Sequence, residues 1–274
     1  MLAWCNGDVV PLEDIHISPM DHGFTVGDGV FEAIKIDEGT PFALSRHLDR
    51  LARSASGLGL PPIDTEAVRT AVLTTIESNE HISFGRVRIT YTAGPSPLGS
   101  PRADLIEPTL LVVVAPGQVR EGPASLCTVP WPRNERSAVA GLKTTSYADN
   151  VVALAYAHER GADEAVFADT RGNLCEGTGS NVFVVHDGVV RTPALTTGCL
   201  PGITRDLLVE WTDVQEAEFP LTDLSTADEV FLTSTTRDIQ PVSRIDDREL
   251  AQPGPRTLDL MDLFAKRAGE DLDP

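Results

Sequence analysis

Lys143 lies in the stretch "GLKTTSY" (141–147) and is one of only three lysines, with Lys35 and Lys266, in a chain of 274 residues. The remaining cationic side chains are arginines, 19 against 3. The two residue types differ in reactivity. A lysine amine can lose its proton and attack a carbonyl to give a Schiff base, whereas a guanidinium stays protonated. A lysine kept in an arginine-rich chain, just ahead of a helix-like segment, is a candidate covalent catalyst.

Pyridoxal 5'-phosphate is the common carbonyl partner of such a lysine, and it needs three further features. An acid must keep the pyridine nitrogen protonated, backbone amides must cup the phosphate, and a cation adds charge-assisted contacts. Glu176 lies 33 residues after Lys143 in "LCEGTGSNVF", where Gly177 and Gly179 allow a ring to approach the backbone. In "GCLPGITRD", Gly202, Ile203 and Thr204 open a helix and present amides and a hydroxyl to an anion. "TSTTRD" (233–238) adds hydroxyls, Thr235 and Thr236 among them, at the end of a strand. Other phosphate signatures are missing: "GDGVFEA" and "GTGSNVF" lack the last small residue of the dinucleotide fingerprint, and no GxxxxGK[ST] occurs.

The elements that must position these residues follow from periodicity. "VFEAIKID" reads as a strand, and apolar residues at 44, 48, 51, 52, 55 and 58 predict a helix stopped by Gly59. Asp64 caps a second helix, "DTEAVRTAVLTTIESN", and "RVRITYTAG" and "PTLLVVVAP" read as strands. The Pro- and Gly-rich "AGPSPLGSPRADLIEP" between them is too long for a tight turn. After Lys143, apolar positions 147, 151, 154, 155 and 158 predict a helix ended by Gly161. "EAVFAD", "NLCEG", "NVFVVHDGVVRTP" and "EVFLTS" are strands, with Asp187-Gly188 marking a hairpin. The composition of 115–125 suggests an interdomain connection, which gives domains at 1–117 and 125–274 with a linker at 118–124.

Bulk properties narrow the class. A net charge of −19 excludes the basic footprint of a nucleic-acid binder. No apolar run reaches membrane-spanning length, and the opening residues lack a signal-peptide pattern. The four cysteines, Cys5, Cys127, Cys175 and Cys199, show no metal-ligand spacing, so free thiols in the cytoplasm and no metal site are expected.

The ordered set of motifs resembles the class IV, fold-type IV PLP enzymes: D-amino-acid transaminases, branched-chain aminotransferases, (R)-amine transaminases and aminodeoxychorismate lyases. It runs from "DHGFTVGDGVFEAIKI" through "HLDRL", "GLK", "EGTGSNVFVVHDGVVRTP" and "LPGITRD" to "DEVFLTSTTRDIQPV". The resemblance implies a two-domain α/β fold, with a smaller N-terminal α/β domain and a larger C-terminal domain with a β-barrel-like core, and the cofactor between them. It implies that Lys143 carries the Schiff base and shuttles the substrate proton. It also implies that Glu176 pairs with the pyridine nitrogen, Arg50 meets the phosphate, and Leu200 packs on the ring. Ile203, Thr204, Thr235 and Thr236 would complete the phosphate cup, in a homodimer or larger assembly.

Within the family, "TSTT" resembles D-amino-acid transaminases, while the "GLK" context and the spacing to Glu176 resemble the lyases as much as any transaminase. Phe31 stands where a substrate-binding tyrosine is usual, and Leu98 and Ser100 replace the usual carboxylate-binding Arg and His. Arg88, which aligns with a substrate-side arginine of branched-chain enzymes, Arg102 and Arg133 are the candidates to replace them. The resulting expectation is a transaminase between an amino acid, D-configured, or an (R)-amine, and a 2-oxo acid. An aminodeoxychorismate lyase and a branched-chain L-amino-acid aminotransferase are the alternatives.

Overall fold

The computed structural model describes residues 1–79, 82–118, 122–251 and 253–274. The expected linker, 118–124, lies partly outside them, at 119–121. By contacts the chain forms two units, one of Met1–Val119, Leu142–Tyr147 and Leu272–Pro274, the other of Arg120–Gly141 and Ala148–Asp271. Residues 142–147 and 272–274 thus group with the first unit, whereas the composition boundary assigned all of 125–274 to the second.

The first unit contains β1 (Leu2–Cys5), β2 (Asp8–Pro11), α1 (His22–Thr25), β3 (Gly29–Asp37), β4 (Thr40–Pro41), α2 (Leu44–Leu58), α3 (Thr65–Glu77), β5 (Phe84–Thr92) and β6 (Thr109–Pro116). Its six strands are ordered β2-β1-β6-β5-β3-β4. Alternation in β3 sends Val30, Ile34 and Ile36 into one core with Leu44, Leu48 and Leu51 of α2 and Val68 and Val72 of α3. Both helices end and begin as their sequences predict. Gly59 closes α2 at φ 72°, and the Asp64 carboxylate accepts the amides of Glu66 and Ala67. The edge of β3 left open by the short β4 takes residues 143–145. The Phe31 amide donates to the Lys143 carbonyl at 2.9 Å, and the Thr145 amide to the Gly29 carbonyl at 2.8 Å.

The long loop at 93–108 is tied down at both ends. Arg102 forks onto Asp28 (2.6 Å on each oxygen) and donates to the carbonyls of Leu58 and Gly59 at the end of α2. Gly94, at φ +69°, approaches the far end of the loop so closely that a Cβ there would lie 1.9 Å from the Glu107 carbonyl oxygen.

The second unit contains β7 (Ala124–Thr128), α4 (Ala148–His158), β8 (Glu164–Ala168), β9 (Leu174–Gly177), β10 (Asn181–His186), β11 (Val189–Pro193), α5 (Ile203–Trp211), β12 (Gln215–Ala217), β13 (Glu229–Ser234), β14 (Asp238–Ile245), β15 (Arg248–Glu249) and α6 (Pro255–Glu270). The strand order is β12-β11-β10-β13-β14-β7-β8-β9, with β15 on β14. The two ends of that order meet: the Leu174 amide donates to the Phe219 carbonyl at 2.9 Å, and Asn173 bridges Pro220, just past β12. The sheet therefore curls on itself around Leu126, Leu174, Val182, Val184, Val230 and Leu232. Asp187 and Gly188 both take positive φ, 48° and 78°, as a two-residue hairpin turn requires.

Two expectations are corrected. The helix after Lys143 starts at Ala148, and it buries Asn150, Ala153 and Ala157 rather than a 147/151/154/155/158 stripe, leaving Val151 64% exposed. Its small residues lie against Ala162 and Ala165, so close approach, not bulk, selects the buried face. The helix α6 was not predicted. Its cap comes from Glu229, distant in sequence, whose carboxylate accepts the amides of Arg256 and Thr257.

The close approach at Gly94 gives a stability test. Gly94→Ala should lose more than about 1 kcal/mol, since strain at positive φ and a backbone clash add. Gly39→Ala has positive φ (79°) but nothing within 4 Å, so it should cost less in urea unfolding. Equal losses would contradict the described crossing.

Candidate active site

Lys143 is fixed by its backbone. Its amide donates to Ser54 Oγ at 3.2 Å, and its carbonyl accepts from Phe31. Thr144 bridges Val30, which carries the lysine along the β3 edge. Its Nζ lies 4.4 Å from the centroid of the Phe31 ring. The Arg88 guanidinium is 3.5 Å from the same centroid, because Ala33↔Arg88 and Phe31↔Thr90 are paired in register and put Phe31 and Arg88 diagonally on one face. Tyr147 meets Phe31 edge-on at 5.2 Å. The structure thus brings Lys143, Phe31 and Arg88 together in the first unit.

The opposite face of β3 carries a charge where the pattern predicts a core residue. Glu32 is 0% exposed, and its carboxylate accepts from Arg50 Nε and Nη2 at 2.7 and 2.8 Å and pairs with His47 Nδ1 at 2.7 Å. His47 and Arg50 are three apart on α2 and so share one face. Burial alone would raise the Glu32 carboxyl, but the Arg50 charge and the hydrogen bonds from Arg50 and His47 outweigh it and hold it well below the usual carboxylate range. Burial lowers His47, and the positive charges of Arg50 and Lys143 lower it further, against the pull of Glu32. Arg102 stands elsewhere, clamped on Asp28 and α2, a use that competes with meeting a substrate carboxylate.

In the second unit, Glu176 is held from two directions. The Leu200 amide donates to its Oε2 at 2.9 Å, and Arg133 Nε forms an ion pair with Oε1 at 3.1 Å. Arg133 also donates to Asn150 Oδ1 at 3.1 Å and lies 4.3 Å from the Phe167 ring centroid. The Leu200 carbonyl in turn accepts from Asn181 Nδ2 at 2.8 Å. Gly202 begins α5 without a side-chain cap, so the amides of the first turn, Ile203 and Thr204 among them, have no acceptor within the helix. Thr235 and Thr236 are half-buried in the turn from β13 to β14. Glu164, buried, fixes this turn and the glycine loop together. It accepts the Gly179 amide (2.8 Å), the Ser180 hydroxyl (2.7 Å) and Arg237 Nη1 (2.6 Å).

Residues 29–245 match the family described as Amino-transferase class IV. The chain belongs to the class IV aminotransferase family. A Methanocaldococcus jannaschii protein provisionally named a branched-chain-amino-acid aminotransferase is 35% identical, covering 90% of this chain and 89% of its own. A Listeria monocytogenes D-alanine aminotransferase is 32% identical, covering 97% and 96%. A Bacillus subtilis aminodeoxychorismate lyase is 31% identical, covering 97% and 94%. A solved T.th. branched-chain amino acid aminotransferase, with pyridoxamine 5'-phosphate, has a TM-score of 0.89 at 29% identity and covers 97% of this chain and 93% of its own. The fold is that of the fold-type IV aminotransferases, and this class IV protein is a PLP-dependent enzyme.

The residues of each unit fit that cofactor. In the second unit, Thr233 Oγ1 is buried and lacks a hydrogen-bond partner among the described residues. It lies on the strand that packs against α5, whose first amides are uncapped. In the first unit, the Lys143 amine lies against the aromatic face of Phe31, with its backbone already fixed at the β3 edge. Among the described residues, no group of His, Cys, Asp and Glu has the makings of a metal site, and no helix is long and apolar enough to cross a membrane.

Four residues escaped the sequence reading: Glu32, His47, Glu164 and Arg237. Glu32 had a signal, a carboxylate inside the alternating series Val30, Ile34, Ile36, with His47 and Arg50 at helical spacing. Glu164 and Arg237 are 73 positions apart, and nothing local links them.

The buried cluster sets an acid limit. His47 stays neutral in the folded state while the unfolded chain protonates below about pH 6.5, so stability falls on acidification from there. Glu32 stays ionised while its unfolded counterpart protonates near pH ~4.3, which adds a second loss below that point. Melting temperature should therefore decline from pH 7 to 5, and His47→Gln should flatten that interval. An unchanged slope in the variant would assign the decline to other groups.

Proposed function

We propose that the protein is a transaminase moving an amino group between an α-amino acid and a 2-oxo acid, with D-amino acids as preferred donors and (R)-amines as further ones. The observation that carries this reading is the placement of the Lys143 amine and the Arg88 guanidinium over one ring, 4.4 and 3.5 Å from the Phe31 centroid. An arginine fork is suited to a carboxylate, and a lysine amine near the same ring is suited to moving a proton at an α-carbon. Arg88 thereby replaces the carboxylate ligands lost at Leu98 and Ser100. When bound, pyridoxal phosphate supplies a carbonyl that takes up amines and a ring that accepts the electron pair left by proton removal.

The chain's own residues supply the rest. Lys143 holds the cofactor, gives way to the substrate amine, and then takes and returns the substrate proton at Nζ. Glu176 keeps a proton on the ring nitrogen, and Arg133 and the Leu200 amide orient its carboxylate. Arg50, the first turn of α5 (Ile203 and Thr204), Thr235 and Thr236 bind phosphate, and Leu200 packs on the ring. The acting species is a homodimer, and the exposed side chains of Phe24 and Leu98 (78% and 75%) are ones a second copy of the chain could cover. Four free thiols suit the cytoplasm.

The "TSTT" turn and the 32% identical D-alanine aminotransferase support the D-preference. Arg88 and the 35% identical M. jannaschii relative favour a second reading, a branched-chain L-amino acid as donor.

A single-turnover experiment tests these readings. The holoenzyme should release one 2-oxo acid per bound cofactor from D-alanine, and Lys143→Ala should slow release at least ~10²-fold. Turnover of L-leucine with silence from D-alanine would transfer the assignment to the second reading. Release of p-aminobenzoate and pyruvate from aminodeoxychorismate, faster than any amino transfer, would make the protein a lyase.

A further inference from the structure

The helix that carries His47 and Arg50 starts badly. Ala43, its N-cap residue, is in the left-handed region at φ 53° and offers no side-chain acceptor, so the first amides of α2 lack a local cap. Asp273 fills the role from 228 positions away. Its Oδ1 accepts the Ser45 amide at 2.7 Å and its Oδ2 the Ser45 hydroxyl at 2.6 Å. Neighbouring contacts hold the segment in place. The Ala43 amide donates to the Leu272 carbonyl at 2.7 Å, and Arg46 Nε to the Pro274 carbonyl at 2.7 Å. Arg69 lies 3.7 Å from Asp273 and donates to Ser45 Oγ at 2.8 Å.

The consequence runs along the first two turns of one helix. Ser45 is the second residue of α2, His47 lies in the same turn, and Arg50 is one turn further on. His47 and Arg50 share the two oxygens of Glu32, and their own nitrogens are 3.5 Å apart. A first turn that frays would release His47 from this arrangement and let the guanidinium move with it. A carboxylate at a helix N-terminus also interacts favourably with the helix dipole.

We propose that Asp273 is a positioning residue for Arg50. By capping α2 it holds the Glu32–His47–Arg50 cluster in the geometry in which Arg50 binds phosphate. This rests on the reading of Arg50 as a phosphate ligand, and the experiment separates the two claims.

Equilibrium dialysis of the full chain against pyridoxal phosphate, and separately against pyridoxal, which lacks the phosphate, gives an affinity ratio for each variant. Asp273→Ala should weaken pyridoxal phosphate roughly 5-fold, the scale of a lost cap, and leave pyridoxal within about twofold. Asp273→Asn keeps an acceptor oxygen for the Ser45 amide and should recover most of the loss. In an Arg50→Ala background, Asp273→Ala should change the ratio no further. Equal weakening of both ligands by Asp273→Ala would overturn the proposal, because the residue would then serve general stability. An Arg50→Ala variant with an unchanged ratio would sink the phosphate reading itself, and with it this inference. A change with Arg50→Ala but none with Asp273→Ala would overturn only the role of Asp273. Should Asp273→Ala fail to fold, Ser45→Ala, which removes the hydroxyl contact to Asp273, is judged by the same ratio.

Discussion

The hydrogen bond from the Phe31 amide to the Lys143 carbonyl, 2.9 Å long, is the contact on which the first unit's chemistry depends. It makes residues 143–145 an added stretch on the open edge of β3, far in sequence from the strand they join. A lysine on a free loop would sample many rotamers, and ordering it would carry the full conformational cost. Here the backbone is already fixed, so only the side chain has to be placed, against the Phe31 ring. The short β4 is what leaves that edge open.

The same strand serves both of its faces. Its odd position 31 presents an aromatic ring to Lys143 and Arg88, and its even position 32 presents a carboxylate to His47 and Arg50. Burying the Glu32 charge is tolerable because the Arg50 charge and the hydrogen bonds from Arg50 and His47 compensate for the lost hydration. Losing one partner of such a pair costs roughly 3–5 kcal/mol. The second unit repeats the device. Glu164 is buried with the Gly179 amide, the Ser180 hydroxyl and Arg237, and the half-buried Glu176 pairs with Arg133 and the Leu200 amide. Glu32 thus braces the helix that carries Arg50, and Glu164 and Glu176 brace loops of the second unit.

Much of this was legible in the sequence, for physical reasons that differ by element. The start of α3 and the end of α2 are announced locally, by Asp64 and Gly59, and the β10–β11 turn by Asp187-Gly188. The ordered motifs around Lys143, Glu176, "GITR" and "TSTT" made the family legible, and the family match over residues 29–245 agrees with it. What stayed hidden depends on distant partners. The helix α6 takes its cap from Glu229, the glycine loop takes its anchor from Glu164, which pairs with the distant Arg237, and α2 takes its first-turn acceptor from Asp273. The face of α4 was misjudged because hydropathy favoured Val151, whereas close packing against the sheet selected alanines. Arg102 and Arg133 are candidate substrate cations that each meet a carboxylate of their own unit, Asp28 and Glu176, and only tertiary pairing reveals those partners.

The central claim is that Lys143 is the amine that holds pyridoxal phosphate. The chain has three lysines, so borohydride trapping of the holoenzyme followed by peptide mass spectrometry decides it directly. A cofactor adduct is expected on the peptide containing Lys143 and none on those containing Lys35 or Lys266. An adduct on either of the other two, with Lys143 unmodified, would contradict it.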